Sequence, residues 1–334
     1  MNPLLVVTLA LAVAFDYING FHDTANAIAT SVSTRALKPE RAILLSASAN
    51  FVGALSGTAV AKTVGAGLVD ERLLAALDPH LTYVAAALVG AIAWNLLTWR
   101  LGIPSSSSHA LIGGLLGAAL AAAGPGALEV DGIVGKVLVP LVSSPLLGLA
   151  IGFLAMVALY NLFRAAPPRP LNAAFRRLQV LSASYMAFSH GSNDAQKTMG
   201  IMTLALFSAG LIPTFEVPLW VILVAATAIS LGTAAGGWRI IKTMGQRVVK
   251  LDPVHGFAAE TTAATIIVGA SHFGMPVSTT HIISSAIMGV GSSDRISAVR
   301  WGIAREIVTA WVLTIPAAGL VAGVTYLLLR PVFG

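Results

Sequence analysis

The sequence predicts an all-α polytopic membrane protein of two inverted-topology repeats, each with about five membrane segments and with broken helices or re-entrant hairpins. Three observations carry that expectation. Only 10% of the 334 residues are charged and the mean hydropathy is +0.84, whereas a soluble domain carries about 25% charged residues. Residues 42–61, 81–99, 137–163, 217–238 and 307–329 contain no Asp, Glu, Lys or Arg, and a membrane span needs roughly 20 apolar residues. Two polar motifs recur in the same order at nearly constant offset.

The apolar segments come in order. The first half holds residues 3–33, 40–64, 81–99, 103–124 and 137–163, and the second holds 178–211, 217–243, 256–273, 276–291 and 301–329. The apolar N-terminus lacks a basic region and a cleavage site, so it reads as the first span rather than a signal peptide. The second repeat begins at 178, and the first ends at 163. Between them residues 164–177, with three prolines and four arginines, form a linker. Segment 276–291 is short for a full crossing and suits one arm of a re-entrant hairpin with its tip near Gly274-Met275-Pro276.

Charge sets the orientation. With the linker on the cytoplasmic side, five crossings on either side place both termini outside. Fifteen of the 20 basic residues then fall in cytoplasmic connections, while Asp70, Glu71, Asp78, Glu129, Asp131 and Glu216 fall outside, as the positive-inside rule requires. The net charge of +6 belongs to this bias at a plasma (inner) membrane, not to nucleic acid. There is no cysteine, the histidines have no metal-ligand spacing, and neither a metal nor a cofactor is expected.

The motifs pair Gly20 with Gly191 and Asp23 with Asp194, each 171 apart, then Pro104 with Pro276 and His109 with His281, each 172 apart. Two polar motifs at matching offsets indicate duplication, and inverted repeats are the usual plan of secondary transporters. Pro-x-Ser-x-x-His opens a helix, where free N–H groups, the positive dipole end and clustered hydroxyls make an anion site. Ser105, Ser106, Ser107 and Ser108 would face Ser278, Thr279 and Thr280. Asp23 and Asp194 lie within spans, where a carboxylate usually faces a polar cavity. Gly20 and Gly191 offer helix breaks whose freed carbonyls, with Asp23 and Asn26, make a hard-cation site. His109 and His281 would carry a proton or orient a Ser. By position alone Glu260 could sit at the membrane surface. Asn50 and Asn95 join helices, and Lys62 snorkels.

These residues resemble the inorganic phosphate transporter (PiT) family. Its Gly-x-Asn-Asp motif appears as Gly191-Ser192-Asn193-Asp194, with His22 replacing the Asn in the first half. Its Pro-x-Ser-x-x-His elements are Pro104–His109 and Pro276–His281. The resemblance spans nearly the whole chain. It implies symport of inorganic phosphate with H⁺ or Na⁺ by a homodimer in the lipid bilayer. It assigns the hydroxyl clusters and Glu260 to phosphate, and Asp23, Asn26, Asn193 and Asp194 to the coupling ion. Sodium-coupled members tend to carry Asn at both i+3 positions, but here Lys197 follows Asp194. A lysine ammonium there takes the charge role of Na⁺, which favours H⁺ and leaves Asp23 as the carrier of the coupling cation. Sulfate is the alternative substrate and a channel the alternative mode of transport. An intramembrane Ser-His-Asp hydrolase is disfavoured by the absence of a Gly-x-Ser-x-Gly elbow, and no enzyme is expected.

The topology is testable with single cysteines and an impermeant maleimide on intact cells. A cysteine at Glu129 is expected to react and one at Ala166 to stay unlabelled. The opposite pattern would refute this orientation.

Overall fold

The computed structural model describes residues 2–66 and 80–333, so the external charges Asp70, Glu71, Arg72 and Asp78 lie outside the described residues. The described elements are helical. Apart from short helical turns, in order they are α1 (Pro3–Ser33), α2 (Pro39–Ala54), α3 (Ala59–Ala66), α4 (His80–Leu101), α5 (Ser107–Ala123), α6 (Val139–Leu162), α7 (Pro168–Ser208), α8 (Leu219–Ala235), α9 (Trp238–Lys242), α10 (Pro253–His272), α11 (Thr279–Asp294) and α12 (Trp301–Phe333). Four helices, α1, α4, α6 and α12, are long and apolar enough to cross a membrane. Two bent pairs raise the number to six if each is one span. This is a multi-pass membrane protein.

Proline in the first turn starts α1, α2, α7 and α10, where its missing N–H is no loss. Asn2 caps α1 and Asp252 caps α10 through side-chain oxygens that accept backbone N–H groups. Helix α7 starts at Pro168, so most of the residues read as linker are helical. Its 41 residues would span about 60 Å, twice the roughly 30 Å hydrocarbon core.

The helix breaks lie elsewhere than expected. Both α1 and α7 run without interruption through Gly20 and Gly191, so neither frees a carbonyl there. The breaks fall between α2 and α3, bent by 74°, and between α8 and α9, bent by 61°. Gly236, at φ +74°, makes the second. Gly20 and Gly191 serve close approach instead. A Cβ on Gly20 would lie 2.2 Å from the Ile229 carbonyl oxygen, and one on Gly191 would lie 2.1 Å from that of Asn50. Gly232 and Gly53 complete the same two crossings against Tyr17 and Phe188. Small residues at such crossings let helix backbones pack in van der Waals contact.

The packing of the two halves corresponds element by element. Helix α1 lies on α8, and α7 on α2; α5 lies on α12, and α11 on α6. The outside is apolar: Leu44 is 70% exposed and Leu320 71%. The inside holds the polar residues, with Asp23, Asp194, Lys197 and Glu260 at 3% exposure or less. Lipid offers a polar group no hydrogen-bond partner, so the polar residues gather inside beside the apolar clusters and most of them bond one another.

Gly191→Ala tests the crossing of α7 and α2. Overpacking of this kind typically lowers stability by about 1–3 kcal/mol. The thermal unfolding midpoint in detergent is expected to fall, and an unchanged midpoint would contradict the close contact.

Candidate functional site

The site lies where the middles of α1 and α7 meet the first turns of α5 and α11. Both short helices start from a tight turn with glycine in the left-handed region, Gly102 at φ +70° and Gly274 at φ +67°. Both are capped alike. The Ser106 hydroxyl accepts from the His109 N–H at 3.1 Å, and the Ser278 hydroxyl accepts from that of His281 at 3.2 Å. Of the hydroxyl cluster, Ser106 and Ser278 are thus committed to capping. Ser105 turns away to Thr98, at 2.8 Å, and His22, at 3.4 Å.

The remaining four hydroxyls converge on the two aspartates in a crossed pattern. Ser107 donates to Asp23 at 3.3 Å and Thr279 to Asp194 at 2.8 Å, each within its own half. Thr280 reaches across to Asp23 at 3.4 Å and Ser108 to Asp194 at 3.4 Å. Each carboxylate therefore receives one hydroxyl from each half. The residues at i+3 repeat the crossing. Asn26 Nδ2 donates to Thr280 at 2.9 Å and Thr279 at 3.3 Å, while Lys197 Nζ donates to Ser108.

Lys197 is buried and does not reach the surface. Its ammonium pairs with Asp194 and donates to the Val277 carbonyl at 2.9 Å. Two histidines complete the site. His22 Nδ1 lies 2.7 Å from Asp23. His190 Nε2 lies 3.0 Å from Asp194 and 3.9 Å from Asp23. Asn50 Nδ2 donates to Thr233 at 2.7 Å, which turns its oxygen toward His190 Nδ1 at 3.0 Å. His190 thus faces the Asn50 oxygen through Nδ1 and Asp194 through Nε2, within ion-pair distance of the carboxylate. By spacing alone His22 and His190 were set aside as ligands. The signal was their helical spacing: His190 precedes Asp194 by four residues and shares its face. Asp23, His190 and Asp194 offer ligand atoms within 4.8 Å of one another, a cation-binding geometry that the chain spacing did not suggest.

Several expected residues stand apart. Glu260 is not at the membrane surface and touches none of the hydroxyls at the starts of α5 and α11. It is fully buried, accepts from Thr30 and Ser182, and accepts from Gln179 Nε2 at 3.2 Å. Thr30 and Ser182 lie on α1 and α7, so Glu260 forms a separate polar station on the same two helices. His109 and His281 do not orient a serine through their rings. Their centroids are 4.7 Å apart, and His281 stacks on Trp311 at 4.0 Å, its ring nitrogens unpartnered among the described residues. Asn193 braces the turn before α11 through Ser271 at 2.8 Å and the Met275 carbonyl at 3.2 Å. Asn50 joins α2, α7 and α8, whereas Asn95 makes no side-chain hydrogen bond among the described residues. Lys62 is exposed.

The arrangement has a definite electrostatic character. Helix N-termini and hydroxyls favour an anion, yet they surround two carboxylates balanced by one lysine. An anion entering there is repelled unless cations or protons come with it. Two helix starts, two acids and a single fixed cation suit co-binding of an oxyanion with positive charge.

The model of the phosphate transporter family, PHO4, matches residues 19–170 and 164–322. A probable low-affinity inorganic phosphate transporter of Bacillus subtilis is 48% identical over 337 residues, covering 100% of both chains. One from Rhizobium meliloti is 48% identical over 326 residues, covering 97% of this chain and 96% of its own. A solved structure titled "The sodium-dependent phosphate transporter" superposes with a TM-score of 0.85 at 24% identity, covering 98% of this chain and 99% of that one, and shares its fold.

The buried ion pair is testable by a double-mutant cycle. Breaking such a pair by removing one partner typically destabilises by about 3–5 kcal/mol. Lys197→Met should therefore lower the unfolding midpoint more than Lys197→Met combined with Asp194→Asn. Additive effects of the two changes would show that the groups do not interact.

Proposed function

We propose, because this chain belongs to the phosphate transporter family, that it is a secondary carrier bringing inorganic phosphate across the plasma membrane in symport with a cation, H⁺ in preference to Na⁺. The family is one of transporters, not enzymes. The observation that carries the coupling ion is Lys197. Its ammonium sits on Asp194 inside the site, where it takes the place of a monovalent metal cation and repels a second one. The corresponding residue of the first half, Asn26, is neutral. Asp23, Asn26, Asn193, Asp194 and Lys197 form the coupling region in this reading.

Phosphate is bound by Ser107, Ser108, Thr279 and Thr280 at the starts of α5 and α11. Four hydroxyls and two sets of free backbone N–H groups suit a tetrahedral oxyanion. The nearby carboxylates accept from the O–H that phosphate keeps and sulfate lacks, which favours phosphate over sulfate. Glu260, beside Thr30 and Ser182, lies on the pathway rather than in the binding site. The matched packing of residues 1–163 and 178–334, joined through 164–177, supports inverted repeats, and the bias of basic residues toward one side supports both termini outside. A homodimer is the assembly this reading adopts.

Proteoliposomes test the reading. An acid-outside pH gradient without Na⁺ is expected to drive accumulation of labelled phosphate, and a protonophore to abolish it. Strict dependence on Na⁺ with no response to pH would overturn H⁺ coupling, and Lys197→Asn is expected to introduce a Na⁺ dependence that the parent lacks. Hydrogen bonds to a charged partner contribute about 1.5–3 kcal/mol, so Ser107→Ala and Thr280→Ala should each weaken phosphate binding by roughly tenfold or more. Unchanged affinity in both would remove these hydroxyls from the site.

A further inference from the structure

Asp16 is a buried carboxylate that the site does not use. It lies on α1 at 0% exposure, and among the described residues neither carboxyl oxygen has a hydrogen-bond partner. Thr198 of α7 lies beside it in weak polar contact, but no hydrogen bond of standard geometry joins the two or engages the Thr198 hydroxyl elsewhere. Asn19 Oδ1, one turn along α1, is also buried without a partner. The charged groups around Asp16 are Asp194, His190 and Lys197, all on α7.

The contrast with the other two acids of the region is sharp. Asp23 is met by His22, Ser107 and Thr280, and Asp194 by Lys197, His190, Ser108 and Thr279. Proton binding at either would disrupt bonds already made. An ionised carboxylate with no donor in a low-dielectric interior is strongly unfavourable, and such a group ordinarily takes a proton.

Two further facts bear on Asp16. It precedes Asp23 by seven residues, which is two helical turns, so both lie on one face of α1 about 10 Å apart along the axis. With the N-terminus outside, Asp16 is on the external side of the phosphate site. It also breaks the internal correspondence: the position 171 residues later is Ala187. Asp16 and Lys197 are thus the two charged residues of this region without a charged counterpart in the other half.

From these observations the geometry points to Asp16 as the residue that takes up the coupled proton, from the outward side, before phosphate is carried inward. This rests on the H⁺-symport reading above. Loading Asp16 neutralises one of the three carboxylates that would otherwise repel the arriving anion. Release of the proton toward the cytoplasm restores the charge and helps to expel phosphate. No bond other than the carboxyl O–H forms or breaks.

The test uses the intact protein in proteoliposomes, with Asp16→Asn as a neutral mimic of the protonated acid and Asp16→Glu as the conservative control. Wild type and Asp16→Glu are expected to accumulate phosphate in response to an acid-outside gradient. Asp16→Asn should lose at least tenfold of that accumulation, yet keep phosphate exchange between equal internal and external pools, which requires no net proton movement. Infrared difference spectra should show the carbonyl stretch of a protonated carboxylic acid in the wild type and its loss in Asp16→Asn. Gradient-driven accumulation by Asp16→Asn equal to that of the wild type would overturn the assignment while leaving H⁺ symport intact. So would loss of exchange together with accumulation, which would make Asp16 a structural or substrate-binding residue. A wild type that ignores the pH gradient would instead overturn the symport reading itself, and the assignment with it.

Discussion

The crossed contact between two aspartates and two helix starts is the interaction on which the rest of the structure depends. Asp23 and Asp194 each accept one hydroxyl from the α5 start and one from the α11 start. No hydrocarbon interior tolerates such a polar set unless its members satisfy one another. The long helices α1 and α7 must therefore bring their middles to the same point, and the short helices must begin there rather than at the surface. Glycines at 20, 53, 191 and 232 permit the helix crossings. The bends after α2 and α8 fall on corresponding chain segments of the two halves.

That arrangement explains why anion and cation chemistry coincide. Helix N-termini and hydroxyls attract an oxyanion, while the aspartates repel it. The balance depends on how much positive charge accompanies it. Lys197 sets one ammonium against the aspartates, so an oxyanion entering the site needs further positive charge beside it.

Much of this was legible in the sequence. The uncharged runs 81–99, 137–163 and 307–329 fall on α4, α6 and α12, those at 42–61 and 217–238 fall on the two bent pairs, and the recurrence of Asp23 at Asp194 and of Pro104 at Pro276 picked out the elements that meet at the centre. The proximity of Lys197 to Asp194 follows from i+3 spacing on a helix. Other features were hidden for physical reasons. A glycine before a polar motif suits a helix break and a helix crossing equally well, and only the neighbouring backbone at Ile229 and Asn50 decides. Ser106 and Ser107 are adjacent and chemically identical, yet one caps the helix and the other faces Asp23, a difference set by the direction of a single turn. Glu260 stands in an apolar stretch whose partners, Thr30, Gln179 and Ser182, lie far away in sequence. No motif marks Asp16 in the sequence, because what distinguishes it is the partners it lacks.

The central claim is that phosphate sits between the starts of α5 and α11, held from both halves at once. Solid-state NMR dipolar recoupling between the ³¹P of bound phosphate and ¹⁵N-labelled backbone amides measures this directly. The account predicts short phosphorus–nitrogen distances to Ser107 or Ser108 and, in the same sample, to Thr279 or Thr280. Couplings to only one of the two helix starts, or to residues around Glu260 in place of both, would contradict it.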